Sequence, residues 1–408
     1  MSRANQSRRR FRRPIFDGLL ARVHEPRRFI QVLAGPRQVG KTTLARQVID
    51  AVGIPAHFAS ADDPALRDRS WLESQWQVGR MHARNGGRAG GLLVIDEIQK
   101  VPDWSEVVKR LWDEDARLGL ELRLMLLGSS PLLVQRGLTE SLAGRFEVLR
   151  VGHWSLTEMV EAFGFDLDRF LFFGGYPGAA GLTGEEDRWR AYVLDSLVET
   201  SLARDVLLLT RVDKPMLLRQ LFRLGAEHSG DVLAFTRMLS RLDGAGNTTT
   251  LAGYLELLAG AGMVIGLPKY GVAPRQRAAS PRLVALNTAL VSSVCGWNRA
   301  AARTEPDAWG RLVETAVAGH FLNAEVPLEV AYWRDGEREV DLVVRHRGAL
   351  DDQRPVLAIR VESGRHRDTR SGLDRFVERF PGARPLVVGQ GGVGLRDFLV
   401  RPATDWLA

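Results

Sequence analysis

Gly35-Pro36-Arg37-Gln38-Val39-Gly40-Lys41-Thr42 satisfies G-x-x-x-x-G-K-[ST] at every fixed position. Residues 29–34 before it form a short apolar run, and a helical pattern runs from Lys41 to about Ala51. Glycines at those positions let backbone N–H groups wrap a chain of phosphates, and the helix that follows presents its positive end to them. The pattern predicts that Gly35, Pro36, Arg37, Gln38, Val39 and Gly40 form the cradle, with Thr43 on the same first turn. Lys41 is expected to reach the β and γ phosphates and the Thr42 hydroxyl to ligate magnesium. ATP and Mg2+ are therefore the expected cofactors.

A phosphate loop needs a second acid for the cation. Leu92-Leu93-Val94-Ile95-Asp96-Glu97 supplies one at the end of a run apolar enough to be buried on both faces. Asp96 is expected to hold magnesium, and Glu97 to orient or deprotonate an attacking water. The next buried run, residues 122–127, ends at Gly128-Ser129-Ser130. Ser129 or Ser130 is read either as a contact to the γ-phosphate or water, or as a helix cap before Pro131. In Leu142-Ala143-Gly144-Arg145, Arg145 is read either as a stabiliser of charge developing at the γ-phosphate or as one half of a surface salt bridge.

Outward from this stretch, apolar runs alternate with helical patterns as far as residue 152, which predicts a parallel sheet covered on both sides. The pattern then turns helical: one helix over residues 156–173, a Gly174-Gly175-Tyr176-Pro177-Gly178 breaker, and a long helix over residues 185–209. Residues 215–287 give three helical stretches and two short strands, the order of a winged helix-turn-helix. From Trp309 the order is helix, three strands, helix, strand. The chain thus divides into a basic arm (1–13), an ATPase core (14–152), a helical lid and linker (153–212), a winged-helix module and connector (213–308) and a terminal α/β domain (309–408).

The chain has 408 residues, 45% hydrophobic and 26% charged, which is the composition of folded globular protein. Its lone Cys295 cannot form an internal disulfide, and a reduced cytoplasmic setting is the natural expectation. Ser7-Arg8-Arg9-Arg10-Phe11 looks like a twin-arginine signal, but Asp17, Arg22, His24 and Glu25 interrupt the apolar stretch that export requires. No stretch reads as a membrane span. The net charge is +7, and Arg3, Arg8, Arg9, Arg10, Arg12 and Arg13 carry six of those charges with no acid among them, leaving +1 for residues 14–408. The arm is read either as a solvated tail or as a non-specific attractor of nucleic-acid phosphates.

Taken together, these motifs resemble bacterial and archaeal AAA-type P-loop ATPases with a carboxyl-terminal domain of unknown function. The resemblance rests on Gly35 to Thr42, Ile95-Asp96-Glu97-Ile98-Gln99, Gly128-Ser129-Ser130 and Ala143-Gly144-Arg145 in the first half. In the second half it rests on Gly174-Gly175-Tyr176-Pro177, Arg204-Asp205, Tyr332-Trp333-Arg334 and Glu339-Val340-Asp341. It spans nearly all of the chain except the arm, with His153-Trp154 departing from the family pattern. It implies an α/β fold: an AAA-like parallel sheet whose sensor strand lies between the phosphate-loop and Asp96 strands, with a helical lid. It further implies a winged helix and a terminal domain like the PD-(D/E)xK restriction-endonuclease fold.

A metal-dependent nuclease of that fold needs a helix glutamate, a hairpin aspartate and an acid-x-lysine pair on the next strand. Glu314 and Asp341 fit the first two places, but Ile359-Arg360-Val361-Glu362 puts arginine where the acid belongs and glutamate where lysine belongs. Arginine cannot ligate a cation, so cleavage is not expected. In the winged helix, the third helical stretch carries Glu256 and no Lys or Arg. Basic residues lie instead on the second (Arg237, Arg241) and on the wing (Lys269, Arg275, Arg277, Arg282). Backbone contact or protein binding is expected rather than base readout. The expected activity is an ATP-driven switch or remodelling factor acting on nucleic acid or a protein partner, as a single chain or an oligomer. An ATP-regulated nuclease and an interaction module with little turnover are the alternatives.

Overall fold

The computed structural model describes residues 11–62, 68–128, 138, 141–207, 212–244, 246–272, 280–347, 356–364 and 371–408, with Arg204 and Asp205 described in backbone only. The chain forms two compact units, Met1–Val151 and Gly152–Ala408.

In the first unit, helix α1 (Ile15–His24) precedes β1 (Ile30–Ala34), α2 (Lys41–Ala51), β2 (Ala56–Ser60), α3 (Arg69–Asn85), β3 (Gly91–Asp96), α4 (Trp104–Arg117), β4 (Leu122–Gly128) and β5 (Phe146–Arg150). The five strands form one sheet in the order β2-β3-β4-β1-β5. Every pairing is parallel. β4 therefore lies between the strand leading to the phosphate loop and the strand ending at Asp96, the order that the resemblance implies. β1 and β3 are buried along their whole length, because helices cover both faces of the sheet.

One face holds α3 and α4, joined by a buried polar knot. Trp76 Nε1 and Arg80 Nε both donate to the Asp115 carboxylate, at 2.8 and 2.6 Å. The other face buries Ile15, Phe16, Leu19 and Val23 of α1 with Leu44, Ala45 and Val48 of α2. That first helix was not legible in the sequence, where its apolar positions are interleaved with charge.

The second unit opens with α5 (Leu156–Phe163) and α6 (Leu167–Phe173). The single helix expected over residues 156–173 is thus two. Gly164 ends the first in the left-handed region (φ 66°), and the Asp166 carboxylate caps the second by accepting from the Arg169 N–H. The long helix expected over residues 185–209 is α-helical in α7 (Glu186–Ala191) and then winds as π-helix through Tyr192–Glu199 and Ser201–Leu207. Then come α8 (Pro215–Glu227), α9 (Phe235–Leu239) and α10 (Thr248–Gly260), followed by an antiparallel pair, β6 (Val264–Leu267) and β7 (Arg282–Ala285).

Helices α11 (Thr288–Val294), α12 (Arg299–Thr304) and α13 (Pro306–Leu322) lead into β8 (Leu328–Asp335), β9 (Arg338–His346), β10 (Val356–Glu362), α14 (Ser371–Arg379), β11 (Ala383–Gly389) and α15 (Leu395–Val400). The terminal sheet has the order β11-β10-β9-β8. Its β8, β9 and β10 are antiparallel neighbours, and β11 runs parallel to β10. The segment after β6 is stitched to this sheet: Tyr332 N–H donates to the Pro268 carbonyl at 3.1 Å, and Tyr270 N–H to the Tyr332 carbonyl at 2.7 Å. Among the described residues, no helix is long and apolar enough to cross a membrane.

Candidate functional site

All strands of the first sheet point their carboxyl ends to one edge, where open α/β sheets bind ligands. At that edge β1 gives way to Gly35. A side chain on Gly35 would put its Cβ 2.0 Å from the Val151 carbonyl oxygen, so only glycine lets the loop leave the strand beside residue 151. Gln38 (φ 64°) and Gly40 (φ 92°) are left-handed and turn the loop back into α2. Gly40 caps α2 without a side-chain hydrogen bond, and the first turn of the helix carries no acid. The amino-terminal N–H groups of α2 are thus left without a local capping side chain, as an anion site requires.

Lys41 is buried, and its ammonium donates to the carbonyls of Gly35 (2.8 Å) and Pro36 (2.7 Å). The lysine charge therefore sits inside the turn of the loop. Thr42 Oγ1 donates to Asp96 Oδ2 at 2.8 Å, and Asp96 Oδ1 accepts the Glu97 N–H at 3.0 Å. Burial raises the Asp96 pKa. The Thr42 hydrogen bond opposes that rise, the Glu97 charge adds to it, and Lys41 opposes it. A carboxylate raised by burial is one that a cation would stabilise. Glu97 has the left-handed φ of 54°, an uncommon backbone for a non-glycine residue, and Gln99 Nε2 holds its Oε2 at 2.7 Å. Thr43 on the same turn is exposed.

The structure thus brings Lys41, Thr42, Asp96 and Glu97 together at one edge, and these residues fit a nucleotide phosphate chain with its magnesium. Gly128 pairs beside Ala34 at that edge, whereas Ser129 and Ser130 lie outside the described residues. Arg145 is elsewhere. Its carbonyl accepts the N–H of Ile30, the first residue of β1. Its guanidinium grips Asp113 of α4 through two bonds, at 2.9 and 3.1 Å. Strand β1 spans about 15 Å, so Arg145 stands at the amino edge of the sheet and is not brought to its own phosphate loop. The ion pair weighed in the sequence is present, and it holds the Asp113 carboxyl below its ordinary pKa.

At the terminal sheet of the second unit, Glu314, Asp341 and Arg360 do converge, joined by a residue that the sequence reading had assigned to the wing. Arg282 of β7 is only 2% exposed. Its Nη2 lies 3.0 Å from Asp341 and 3.4 Å from Glu314, and its Nη1 2.5 Å from Glu339. Arg360 Nη1 takes the other Asp341 oxygen at 3.1 Å, which also accepts the Val361 N–H at 2.9 Å. Burial alone would lower the Arg282 pKa, but Asp341, Glu339 and Glu314 outweigh it and raise it. The carboxylates are spent on guanidinium groups, so this set does not fit a metal. Among the described residues, no group of three or more His, Cys, Asp or Glu is arranged to hold one.

The expectation that Arg282 offers charge to a phosphate backbone is therefore corrected: its head group is sealed in. Lys269 is bridged through its backbone to Tyr332. Arg275 and Arg277, like residues 1–10 of the arm, lie outside the described residues. His153, the departure from the family pattern, is a buried structural residue whose Nε2 lies 2.8 Å from the Gly262 carbonyl oxygen.

A family model described as an AAA domain matches residues 27–160, and one described as a domain of unknown function (DUF8612) matches residues 164–301. The chain is similar to two uncharacterized mycobacterial proteins, Mb2031c of Mycobacterium bovis and Rv2008c of Mycobacterium tuberculosis. Each is 29% identical over 325 residues, covering 78% of this chain and 68% of the relative. Among solved structures, the Thermotoga maritima RuvB Holliday junction branch migration motor is 18% identical, with a TM-score of 0.34. That match covers 65% of this chain and 90% of the motor. Residues 27–160 are thus similar to AAA domains, and residues 164–301 to a domain of unknown function.

Proposed function

We propose that the first unit binds and hydrolyses ATP with magnesium, and that hydrolysis drives a switch or remodelling step on nucleic acid or a protein partner. The observation that carries the reading is the 2.8 Å bond between Thr42 and Asp96. It supports the reading because two such groups share a magnesium ion in P-loop enzymes, and here they are hydrogen-bonded beside the buried Lys41. Magnesium held there would supply positive charge to neutralise the nucleotide phosphates. Gly35 to Gly40 would present backbone N–H groups to those phosphates, Lys41 would add a fixed positive charge, and Thr42 with Asp96 would hold the cation. Glu97, hydrogen-bonded by Gln99, would orient a water for in-line attack.

The second unit would receive the motion. The order of α8, α9, α10 and the β6–β7 pair supports a winged-helix reading, and helix α13 with β8 to β11 supports a nuclease-like terminal fold. The spent carboxylates favour docking over cleavage there. Phosphate release measured with ATP and magnesium, alone and with single-stranded DNA, duplex DNA or RNA, tests the proposal. Turnover above a Lys41→Ala background supports it. Nucleotide binding with no turnover under any condition would leave an interaction module instead.

A further inference from the structure

The turn that follows Asp96 folds back over Glu97. It is a short 3-10 helix, Ile98–Lys100, in which the Lys100 N–H donates to the Glu97 carbonyl and the Val101 N–H to the Ile98 carbonyl, each at 3.0 Å. The turn brings the Lys100 ammonium to 3.7 Å from Glu97 Oε2, the oxygen that also accepts from Gln99 Nε2. Lys100 Nζ donates as well to Asp62 Oδ1. That carboxylate is close because β2 and β3 are paired, with Ser60 opposite Asp96 and the Ala61 N–H donating to the Asp96 carbonyl at 2.9 Å. Lys100 therefore bridges two acids at the carboxyl ends of adjacent strands, with only 12% of its side chain exposed.

The backbone around this turn is strained. Glu97 (φ 54°) and Asp103 (φ 51°) bound it, and both are left-handed without being glycine. Such backbone is unfavourable and persists only where its surroundings hold it, most often at functional sites. At Asp103 the holding group is Arg69, 2.5 Å away. At Glu97 the backbone N–H is held by Asp96 Oδ1, and the side chain by Gln99 and Lys100. Glu97 also stands beside the Asp96 carboxylate, and the phosphates of a bound nucleotide would add further negative charge. Like charges push a carboxylate away, and an ammonium at Oε2 opposes that push.

We propose that Lys100 is a positioning residue for hydrolysis: its ammonium, anchored by Asp62, fixes the Glu97 carboxylate in the orientation that aims it at the attacking water. The inference rests on the ATP-hydrolysis reading above and adds a residue which that reading does not use. Lys41 serves the phosphates, whereas Lys100 serves the group that orients the water. A lysine directed at an acid rather than at the nucleotide acts on turnover and not on affinity. Displacing a reacting group by about 1 Å is enough to lower a rate about a hundredfold. A lysine that merely tied the chain after β2 to the chain after β3 would act on stability instead.

The test measures three quantities for the full chain, Lys100→Met, Lys100→Arg and Asp62→Asn: phosphate release with ATP and magnesium, the Kd of a fluorescent ADP analogue, and the melting temperature. Lys100→Met is expected to lower kcat about tenfold to a hundredfold, with the Kd within about twofold of the parent and the melting temperature little changed. Lys100→Arg keeps the charge and is expected to recover part of the loss. Asp62→Asn leaves the ammonium at Glu97 and is expected to lose less than Lys100→Met. Unchanged turnover in Lys100→Met overturns the positioning role, and turnover above the parent's would show that Lys100 holds Glu97 away from its water. A fall in kcat with an equal loss of affinity also overturns it. So does a fall matched by Asp62→Asn, with a lower melting temperature and no recovery in Lys100→Arg, which makes Lys100 a structural tie. If the parent itself shows no turnover above Lys41→Ala, the hydrolysis reading fails, and the positioning role falls with it.

Discussion

Arg282 Nη2 sits 3.0 Å from Asp341 Oδ1, so a side chain from the β6–β7 pair joins Arg360 in supplying positive charge among the carboxylates of the terminal sheet. Three acids and two arginines are buried together there, and removing one partner from a buried pair leaves an uncompensated charge. Arg282→Ala is expected to lower stability by about 3–5 kcal/mol in chemical denaturation. The intact protein is expected to show no calorimetric binding of Mn2+ in this domain and no cleavage of DNA or RNA with Mg2+ or Mn2+, with or without ATP. Metal-dependent cleavage that disappears in Asp341→Ala but survives in Lys41→Ala would show that the domain is an active nuclease.

The proposed nucleotide site is expected to divide its labour between binding and turnover. Lys41→Ala removes the buried ammonium from the loop and is expected to weaken ATP binding by at least about tenfold. Glu97→Gln keeps the shape, the backbone N–H bonded to Asp96 and a polar partner for Gln99. It is expected to bind ATP within about twofold of the parent and to lose about 10²–10⁴-fold in hydrolysis, the usual worth of a positioned base. Equal loss of binding in the two variants would refute this assignment of roles.

Arg145 tests whether neighbouring copies complete each other's sites. It stands at the amino edge of the sheet against Asp113, away from its own loop, so any contact with a γ-phosphate belongs to a second copy. Arg145→Ala is expected to retain ATP binding and to lose hydrolysis about 10³-fold, the order expected of an arginine supplied in trans. Mixed with Lys41→Ala, it should regain part of the activity, because each variant supplies what the other lacks. If Asp113→Ala causes the same loss and mixing restores nothing, the pair is only a tie between α4 and the start of β5.

The contrast between Lys41 and Arg282 shows what the sequence can reveal. The phosphate loop is legible because its chemistry is local: positive φ, a close approach at Gly35 and a helix start all lie within eight residues. Asp96 is legible because the strand that delivers it is apolar throughout. Arg282 was misread because its partners Glu314, Glu339 and Asp341 are 32, 57 and 59 residues away, and a basic residue on a short strand looks like surface. Helix α1 was missed for a related reason. Its Ile15, Phe16, Leu19 and Val23 form a buried stripe, but charges between them hide the period until α2 is there to pack against. The division at Gly164 needed only the Gly-x-Asp signal at residues 164–166, which the surrounding apolar residues outweighed.

His320, near the end of α13, is expected to make the second unit sensitive to acid. Its ring packs against Phe321 and Phe398, with centroids 5.7 and 5.2 Å away. Its Nε2 is buried and finds no hydrogen-bond partner among the described residues. Burial pushes its pKa down to about 4, against the opposing effect of a backbone hydrogen bond at Arg401. The unfolded chain, with an ordinary histidine value near 6.5, binds the proton first. The stability that the neutral ring contributes is therefore complete above about pH 6.5 and is lost progressively as pH falls from there through about 4, by up to about 3 kcal/mol. Urea unfolding of the second unit between pH 8 and 4 measures this, with His320→Phe as the comparison because phenylalanine keeps the ring contacts and cannot take the proton. The parent is expected to lose more stability than the variant between pH 6.5 and 4, and the two are expected to run parallel above pH 7. Parallel curves over the whole range would mean that the imidazole finds a partner or water when charged, and that the acid sensitivity of this unit lies elsewhere.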